Sequence, residues 1–563
     1  MEFAEFIRTP RVEKVTLYRA NTPPLEGTLC VTGHHLILSR RQDDDEEELW
    51  LLHRNIDSFE KKLTGSVGTL TLKCKDFHIM HLEIPSIDDC FNVAASVEQL
   101  SNVDNINLSY PFFFRPMFDI FEDGWQAYTV ESEFNRLQKY LSADWRISSL
   151  NRTFEVCSGY PHLVIVPKSV DDETIVRAAG FRQNGRFPVL SYYHKDNSMV
   201  IMRCSQPLSG PNNKRCKEDE RLVNAVLGIG RRGYILDTRS PTTAKLATAK
   251  GGGVEPEAHY SQWRRIHQSM ERYQILHESI IKLVEACYDV NCGMDKWLSK
   301  LDSSGWLTHV KDALTCACVA AQCVDKEGAS VLVHGSEGAD STVLVTSLAQ
   351  LILDPDCRTV RGLEALIERE WLHGGHPFAD RCSKSAFATS RQRMESPVFL
   401  LFLDSIWQIW TQFPCSFEFN EDFLIMLFKH AYASQFGTFL CNNERDRAVY
   451  QVKDKTVSLW SYINRPEVLT KFLNALYDPN ASVIWPSVAP QSLQLWTGLY
   501  QQWQKYHPVQ REVWDEIVKI KETDKEAKSR VVKLRKHLVN LEREALDNGL
   551  IPAPNQVPGA HAY

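Results

Sequence analysis

Ser330-Val-Leu-Val-His334-Gly-Ser-Glu-Gly338-Ala-Asp-Ser-Thr342 has the outline of a phosphate cradle. The apolar run Ser330 to Val333 predicts a buried strand, and Thr342 to Leu351 predicts an apolar helix. Between them, His334 leads into a short loop carrying Gly335 and Gly338. A strand that enters a helix through such a loop aims backbone N–H groups and the positive helix end at an anion.

Cysteine-dependent phosphatases use this layout as His-Cys, five residues and Arg. The thiolate attacks phosphorus, and the planar guanidinium clamps the phosphoryl oxygens. Here those two positions hold Gly335 and Ser341. The run resembles the myotubularin phosphoinositide 3-phosphatase signature His-Cys-Ser-Asp-Gly-Trp-Asp-Arg-Thr. It matches at His334, Ser336, Gly338, Asp340 and Thr342, while Glu337 stands for the first Asp and Ala339 for the Trp. Further blocks resemble the same family: Gly185-Arg-Phe-Pro-Val-Leu-Ser191, Arg203-Cys-Ser-Gln-Pro207, Arg358-Thr-Val-Arg-Gly362 and Ile367-Glu-Arg-Glu-Trp-Leu372. So do Gly375-His-Pro-Phe378, Phe402-Leu-Asp404, Phe413-Pro414, Phe417-Glu-Phe-Asn420 and Phe436-Gly-Thr-Phe439. The plain alternative, a Gly-rich turn in an unrelated protein, does not account for these blocks. The resemblance is to the catalytically inactive branch of the family.

The resemblance implies attack by the Cys through a phosphocysteine intermediate, with a loop Asp protonating the leaving inositol oxygen. Asp340 matches that acid, but Gly335 has no side chain, and Ser336 has no evident base to activate it. Loss of a nucleophile costs about 10⁶ in rate, and loss of an arginine clamp roughly 10³ to 10⁵, so the chain is expected not to be an enzyme. A replacement nucleophile is the alternative. Without the Arg, Glu337 and Asp340 are expected to stand uncompensated beside any phosphate. The missing bidentate contact alone costs about 1.5–3 kcal/mol, so headgroup binding in the loop is expected to be weak.

At 563 residues the chain exceeds one ordinary core, and 43% hydrophobic with 24% charged residues is the composition of a globular multidomain protein. A net charge of −7 argues against nucleic acid as a partner. No secretory signal opens the sequence, and no apolar run is long enough to span a bilayer. The fifteen cysteines lack a paired CxxC framework. Cys316, Cys318 and Cys323, in an apolar helical pattern, read as buried thiols rather than a zinc site or disulfides. No cofactor and no metal are expected. A cytoplasmic location follows from the thiols, with peripheral contact to endosomal, endoplasmic-reticulum or other internal membranes as the expected lipid association.

The fold class expected is α+β and multidomain. Residues 1–105 read as a PH-like β-barrel and resemble the family's PH-GRAM module, with a hairpin around Gly33, alternating strands Val67 to Cys74 and Phe77 to Ile84, and a helix capped by Ser86 or Asp88. Asp43 to Glu48 reads as an acidic, solvated loop. Arg40-Arg41 and Lys61-Lys62 are modest basic pairs beside acidic residues. Residues 110–506 read as an α/β cysteine-phosphatase-like domain. Its strands are Leu163 to Val166, Val189 to Tyr193, Met199 to Arg203 and Tyr234 to Asp237. Its helical patterns are Trp263 to Cys287 and Val310 to Cys323. Gly251 to Gly253 reads as a loop, and Trp407, Trp410, Trp460, Trp485, Trp496 and Trp503 as core.

From 511 to 546 the spacing alternates four and three at Val513, Ile517, Ile520, Asp524, Ala527, Val531, Leu534, Leu538, Leu541 and Ala545. This predicts a coiled coil, weakened midway by Asp524 and Ala527. A surface helix docked on its own domain is the alternative. Asn548-Gly549 ends it, and 547–563 is expected to be a disordered tail. The resemblance implies pairing with active myotubularin-related lipid phosphatases that act on phosphatidylinositol 3-phosphate and 3,5-bisphosphate, and hence a link to endosomal traffic and autophagy. A homodimer is a second arrangement. Membrane binding through the N-terminal domain alone is the competing function.

Overall fold

The computed structural model describes residues 3–20, 22–42, 45–139, 144–228, 230–270, 273–289, 292–388, 394–503 and 511–550. Near the N-terminus, seven strands form one antiparallel sheet: β1 (Arg11–Arg19), β2 (Leu25–Val31), β3 (His35–Gln42), β4 (Asp45–Leu52), β5 (Ile56–Thr64), β6 (Val67–Cys74) and β7 (Ile79–Ile84). Their order is β4-β3-β2-β1-β7-β6-β5, the curled sheet of a PH-like domain. Burial alternates strictly along β6 and β7, as a half-buried strand requires. Leu70, Leu72, Leu82 and Ile84 meet Cys90, Val93, Ala94 and Val97 of the helix Ile87–Ser101. Ser86 caps that helix, its Oγ accepting from Asp89 N–H at 3.2 Å. Gly68 admits the helix closely, since a Cβ there would come 2.5 Å from Cys90 Cβ.

The acidic run is not a loop. Asp45–Glu48 open β4, with Glu47 opposite Arg40 in the register and 2.9 Å from Arg19. Cross-strand charge pairing and the apolar residues that follow recruit the segment into the sheet. Asp43 and Asp44 lie outside the described residues.

The second sheet has the order β10-β11-β14-β12-β13 and the ranges β10 (Val189–Tyr193), β11 (Val200–Cys204), β12 (Gly233–Asp237), β13 (Trp263–His267) and β14 (Val331–His334). All neighbours are parallel except the edge pair β10–β11. A separate pair, β8 (Trp145–Ser148) and β9 (Val164–Pro167), lies outside this sheet. The central strand β14 is buried along its length, packed against the helices Trp306–Asp325 and Ser341–Leu353. Trp263 to Cys287 is not one helix: its first five residues are β13, and the helix is Tyr273–Tyr288. Gly233 leaves room for the Trp263 indole, so β13 pairs with β12. The buried residues at helical spacing begin only at Leu276.

All fifteen cysteines are free thiols, and burial pushes Cys318 up to about 11 and Cys323 to about 12. Trp407 and Trp496 stack at 5.7 Å, and both indole N–H groups donate to Glu421 Oε1, a buried aromatic pair built on one carboxylate. Trp485 departs from the core reading, lying half-exposed beneath Lys326.

A helix, Arg511–Asp547, ends the described chain. It touches its own domain through Val532, which is buried, through Lys525 Nζ at 2.6 Å from Asp422, and through Arg535 donating to Tyr477 O at 3.0 Å. At about 100° per residue Lys525 and Val532 lie roughly a third of a turn from the heptad stripe and Arg535 roughly a fifth, on the same side. The seam faces solvent: Ile520 is 62% exposed, Val531 41%, Leu534 66%, Leu538 55% and Leu541 47%. The side chains of Val513 and Ile517, and residues 551–563 of the expected tail, lie outside the described residues. Gly549, at φ +68°, closes the helix, with Leu550 N–H donating to Ala545 O.

Candidate functional site

β14 delivers His334 to the head of the loop, fully buried, with Nε2 3.2 Å from Glu255 Oε2. Glu255 also accepts from Arg182 at 2.7 Å, and Arg182 grips Asp219 at two points. Burial works to raise the Glu255 carboxyl, but His334 and Arg182 hold it well below the usual carboxylate range.

Hydrogen bonds tie the loop's carbonyls outward. Arg186 Nη2 donates to Gly338 O and to Gly374 O, each at 2.6 Å. Ser336 O accepts from Gln206 N–H, and Ala339 O lies 2.9 Å from His376 Nδ1. No backbone N–H from Ser336 to Ser341 donates to a protein acceptor among the described residues. Gly338 sits at φ +76°, where a Cβ would also strike Cys204 O at 2.5 Å, so only glycine lets the loop turn there. Carbonyls out and amides free is the geometry of an anion cradle at the head of the helix Ser341–Leu353.

Three hydroxyls converge on Gly335. A Cβ there would lie 2.7 Å from Thr238 Oγ1, 3.1 Å from Ser341 Oγ and 3.5 Å from Thr342 Oγ1. Thr238 and Ser341 are bonded to each other at 2.7 Å, whereas Thr342 Oγ1 is buried without a partner. Thr342 Oγ1 thus lies beside Gly335, which offers it no side chain to bond. Ser336 is half-buried at the mouth, and Glu337 is exposed.

Asp340 is neither uncompensated nor available as a proton donor, contrary to the expectation from sequence. Arg381 Nε donates to Oδ1 at 3.1 Å and Nη2 to Oδ2 at 2.7 Å, and His376 Nδ1 lies 3.2 Å from Oδ1. Burial opposes the charge, but Arg381 and His376 hold the carboxyl far below its ordinary range. A phosphate would therefore meet one uncompensated carboxylate, Glu337, rather than two.

The structure thus brings His334 through Thr342 into one loop and adds Thr238, Arg186, Glu255, His376 and Arg381 around it. His376 sits within a block visible in the sequence. Arg381 and Thr238 carried no local signal, since each reaches the loop through the fold. The exposed heptad residues lie on a different element, the C-terminal helix.

A family model described as Myotubularin-like phosphatase domain matches residues 109–448, and one described as MTMR6-9, GRAM domain matches 11–101. Myotubularin-related protein 9 of Homo sapiens is 60% identical over 544 residues, covering 97% of this chain and 99% of the relative. Phosphatidylinositol-3-phosphate phosphatase MTMR7 of Homo sapiens is 36% identical, covering 92% of this chain and 80% of that protein. Phosphatidylinositol-3,5-bisphosphate 3-phosphatase MTMR6 of Homo sapiens is 35% identical, covering 96% and 88%.

Proposed function

The chain belongs to the myotubularin family, and from that premise we propose that it is a catalytically inactive member serving as a regulatory subunit. In this reading the C-terminal helix pairs with that of an active relative and alters the relative's activity, stability or membrane placement. The relatives' substrates, phosphatidylinositol 3-phosphate and 3,5-bisphosphate, would be the lipids whose levels respond, at the cytoplasmic face of endosomal or other internal membranes. No helix among the described residues is long and apolar enough to cross a membrane.

The inactive half of the reading rests on the loop. It keeps a cradle of amides, but Gly335 offers no nucleophile, Ser341 Oγ is engaged by Thr238, and Asp340 is locked as a carboxylate. The adaptor half is carried by one observation: the helix docks through Val532 while five aliphatic seam residues face solvent. An apolar stripe at 3.5-residue spacing left in water is stabilised by a second helix, not by its own domain. The basic pairs of the N-terminal sheet do not favour stand-alone lipid binding. Arg40 lies opposite Glu47, and Lys61 lies over the Phe91 ring.

The test is co-purification of the full chain with an active relative, with and without residues 511–547, followed by assay of the captured complex on both lipids. Loss of capture on truncation supports the reading, and retained capture refutes the helix as the link. Phosphate release by the isolated chain, abolished by Ser336→Ala, would overturn the inactive assignment.

A further inference from the structure

Between the N-terminal sheet and the phosphatase-like domain the chain crosses the surface as a strap, residues 113–122, outside every helix and strand of the described residues. Its side chains alternate: Phe114, Pro116 and Phe118 are half-buried, while Phe113, Arg115, Met117 and Asp119 are exposed, as is Phe121. The inner set fastens the strap. Phe114 meets the Phe436 ring edge-on at 5.5 Å, and Phe118 packs on the Tyr462 ring at 5.5 Å with the Arg465 guanidinium 4.6 Å from its centre. At the far end Arg361 Nη1 and Nη2 donate to the two Glu122 oxygens at 2.9 and 2.5 Å, and Gly124 N–H donates to Ser461 Oγ at 2.8 Å. These anchors hold the outer face in place before anything binds it.

That outer face is largely apolar. Met117 is fully exposed and Phe121 71% exposed, and Phe113 and Ile120 are nearly half-exposed. Apolar residues exposed singly are ordinary, but four gathered in one short segment form a patch that a partner would shield from water. The strap bends at Met117 and Phe118, which sets Met117 at its crest. The two charges of the face are unspent. Arg115 Nη1 donates only to the strap's own carbonyls, Phe112 O at 3.3 Å and Phe114 O at 2.9 Å, and neither Arg115 nor Asp119 forms an ion pair among the described residues. No backbone N–H of residues 115–122 donates to a protein acceptor among the described residues either.

In chain order the outer positions are Phe113, Arg115, Met117, Asp119 and Phe121. Reversed about Met117, the apolar positions coincide and the charges exchange sign. A surface of that kind complements itself across a two-fold axis. Two straps laid antiparallel, with Met117 at the axis, bring Arg115 of each copy against Asp119 of the other and Phe113 against Phe121. Both charge pairs and both aromatic pairs then form at once.

We propose that the strap is a docking surface for a second copy of this chain, the two copies related by a two-fold axis through Met117. A lipid surface fits the strap less well, since anionic headgroups would repel the Asp119 that a second copy pairs with Arg115. The contact lies on a different element from the C-terminal helix and does not rest on that helix binding a relative. Where that binding also holds, the strap joins two adaptor–relative pairs into one assembly.

The full chain is examined by sedimentation equilibrium, beside the variant Leu534→Asp with Leu538→Asp that disables the C-terminal stripe. Both are expected to show a reversible dimer, on the order of micromolar in dissociation constant as a small interface gives. Met117→Asp sets two carboxylates at the axis and should leave a monomer. Arg115→Asp and Asp119→Arg each place like charges together twice, so each should raise the dissociation constant about tenfold or more. The double variant Arg115→Asp with Asp119→Arg restores opposite charges and should return it to within about threefold of the parent. If Arg115→Asp does not fold, Met117→Asp and Asp119→Arg carry the test. A parent that stays monomeric, a dimer lost in the stripe variant, or a dimer indifferent to Met117→Asp overturns the proposal, as does failure of the charge swap to rescue. A monomer that sediments with phosphatidylcholine vesicles in a Met117-dependent manner overturns it in favour of a membrane contact.

Discussion

Arg381 and Asp340 meet in a two-point ion pair, Nε to Oδ1 at 3.1 Å and Nη2 to Oδ2 at 2.7 Å, across 41 residues of sequence. The arginine is fully buried, and its Nη1 is spent on Met394 O at 2.7 Å. The Asp340 carboxyl is therefore a fixed structural anion. Removing the arginine leaves that carboxylate unpaired beside the buried His376. Arg381→Gln should cost about 3 kcal/mol at pH 7 by denaturant unfolding, as for one partner of a buried pair. The folded pKa of Asp340 is depressed, so the pair's contribution is fully present above the unfolded carboxyl value. It fades as pH falls below about 4. The gap between Arg381→Gln and the parent should narrow at pH 3; an unchanged gap would show that Arg381 acts through packing instead.

The hydroxyls around Gly335 make a second prediction. Gly335→Ala places a Cβ 2.7 Å from Thr238 Oγ1 and should destabilise the fold by about 1–2 kcal/mol, the usual cost of overpacking. In a Thr238→Ala background that oxygen is gone and most of the cost should vanish. A double-mutant cycle by thermal melting reads the coupling directly. Additive losses would mean that the helix start, not Thr238, sets the limit. Gly335→Cys alone should also yield no phosphatase activity, since Ser341 still supplies no guanidinium.

Much of this architecture was legible in the chain. Period-two alternation marked β6 and β7, Ser86 marked its helix, and the apolar run before His334 marked β14. What could not be read depends on partners distant in sequence. Asp340 looked uncompensated because Arg381 comes from a later helix, and Thr238 reaches Gly335 from the end of β12. Asp45–Glu48 looked like a solvated turn because charge density signals solvent, whereas cross-strand arginines make the same residues strand. Trp263 looked helical because its pairing needs the space beside Gly233. In the last helix, heptad spacing marked the apolar stripe that the structure leaves exposed, but the docking face, Lys525, Val532 and Arg535, is set by Asp422 and Tyr477 on the domain beneath.

Those two faces should separate by mutation. Leu534→Asp with Leu538→Asp alters residues that are 66% and 55% exposed, so monomer stability should change by less than about 0.5 kcal/mol. Association with an active relative, measured by sedimentation velocity, should be lost. Val532→Asp buries a charge on the other face and should expose the helix to limited proteolysis while leaving pairing in place. Equal loss of association from both variants would mean that the partner reads a docked helix rather than the seam alone.

A buried acid far from the loop gives the clearest pH dependence. Glu364 is fully buried, with Oε2 accepting from Asn464 Nδ2 at 2.9 Å and Oε1 without a partner. Burial pushes its carboxyl up to about 8, against the weaker pull of Asn464 and Arg361. For an acid raised in the folded state, the unfolded chain releases its proton first. Stability is therefore undiminished below the unfolded carboxyl value near pH 4, falls as pH climbs above it, and levels off past the folded value. Glu364→Gln keeps the shape and an acceptor for Asn464 while removing the charge. It should match the parent at pH 4 and exceed it by about 1–3 kcal/mol at pH 8. Urea unfolding at the two pH values checks this. A variant less stable than the parent at pH 8 would mean that the ionised Glu364 is held by a favourable contact instead of tolerated as a buried charge.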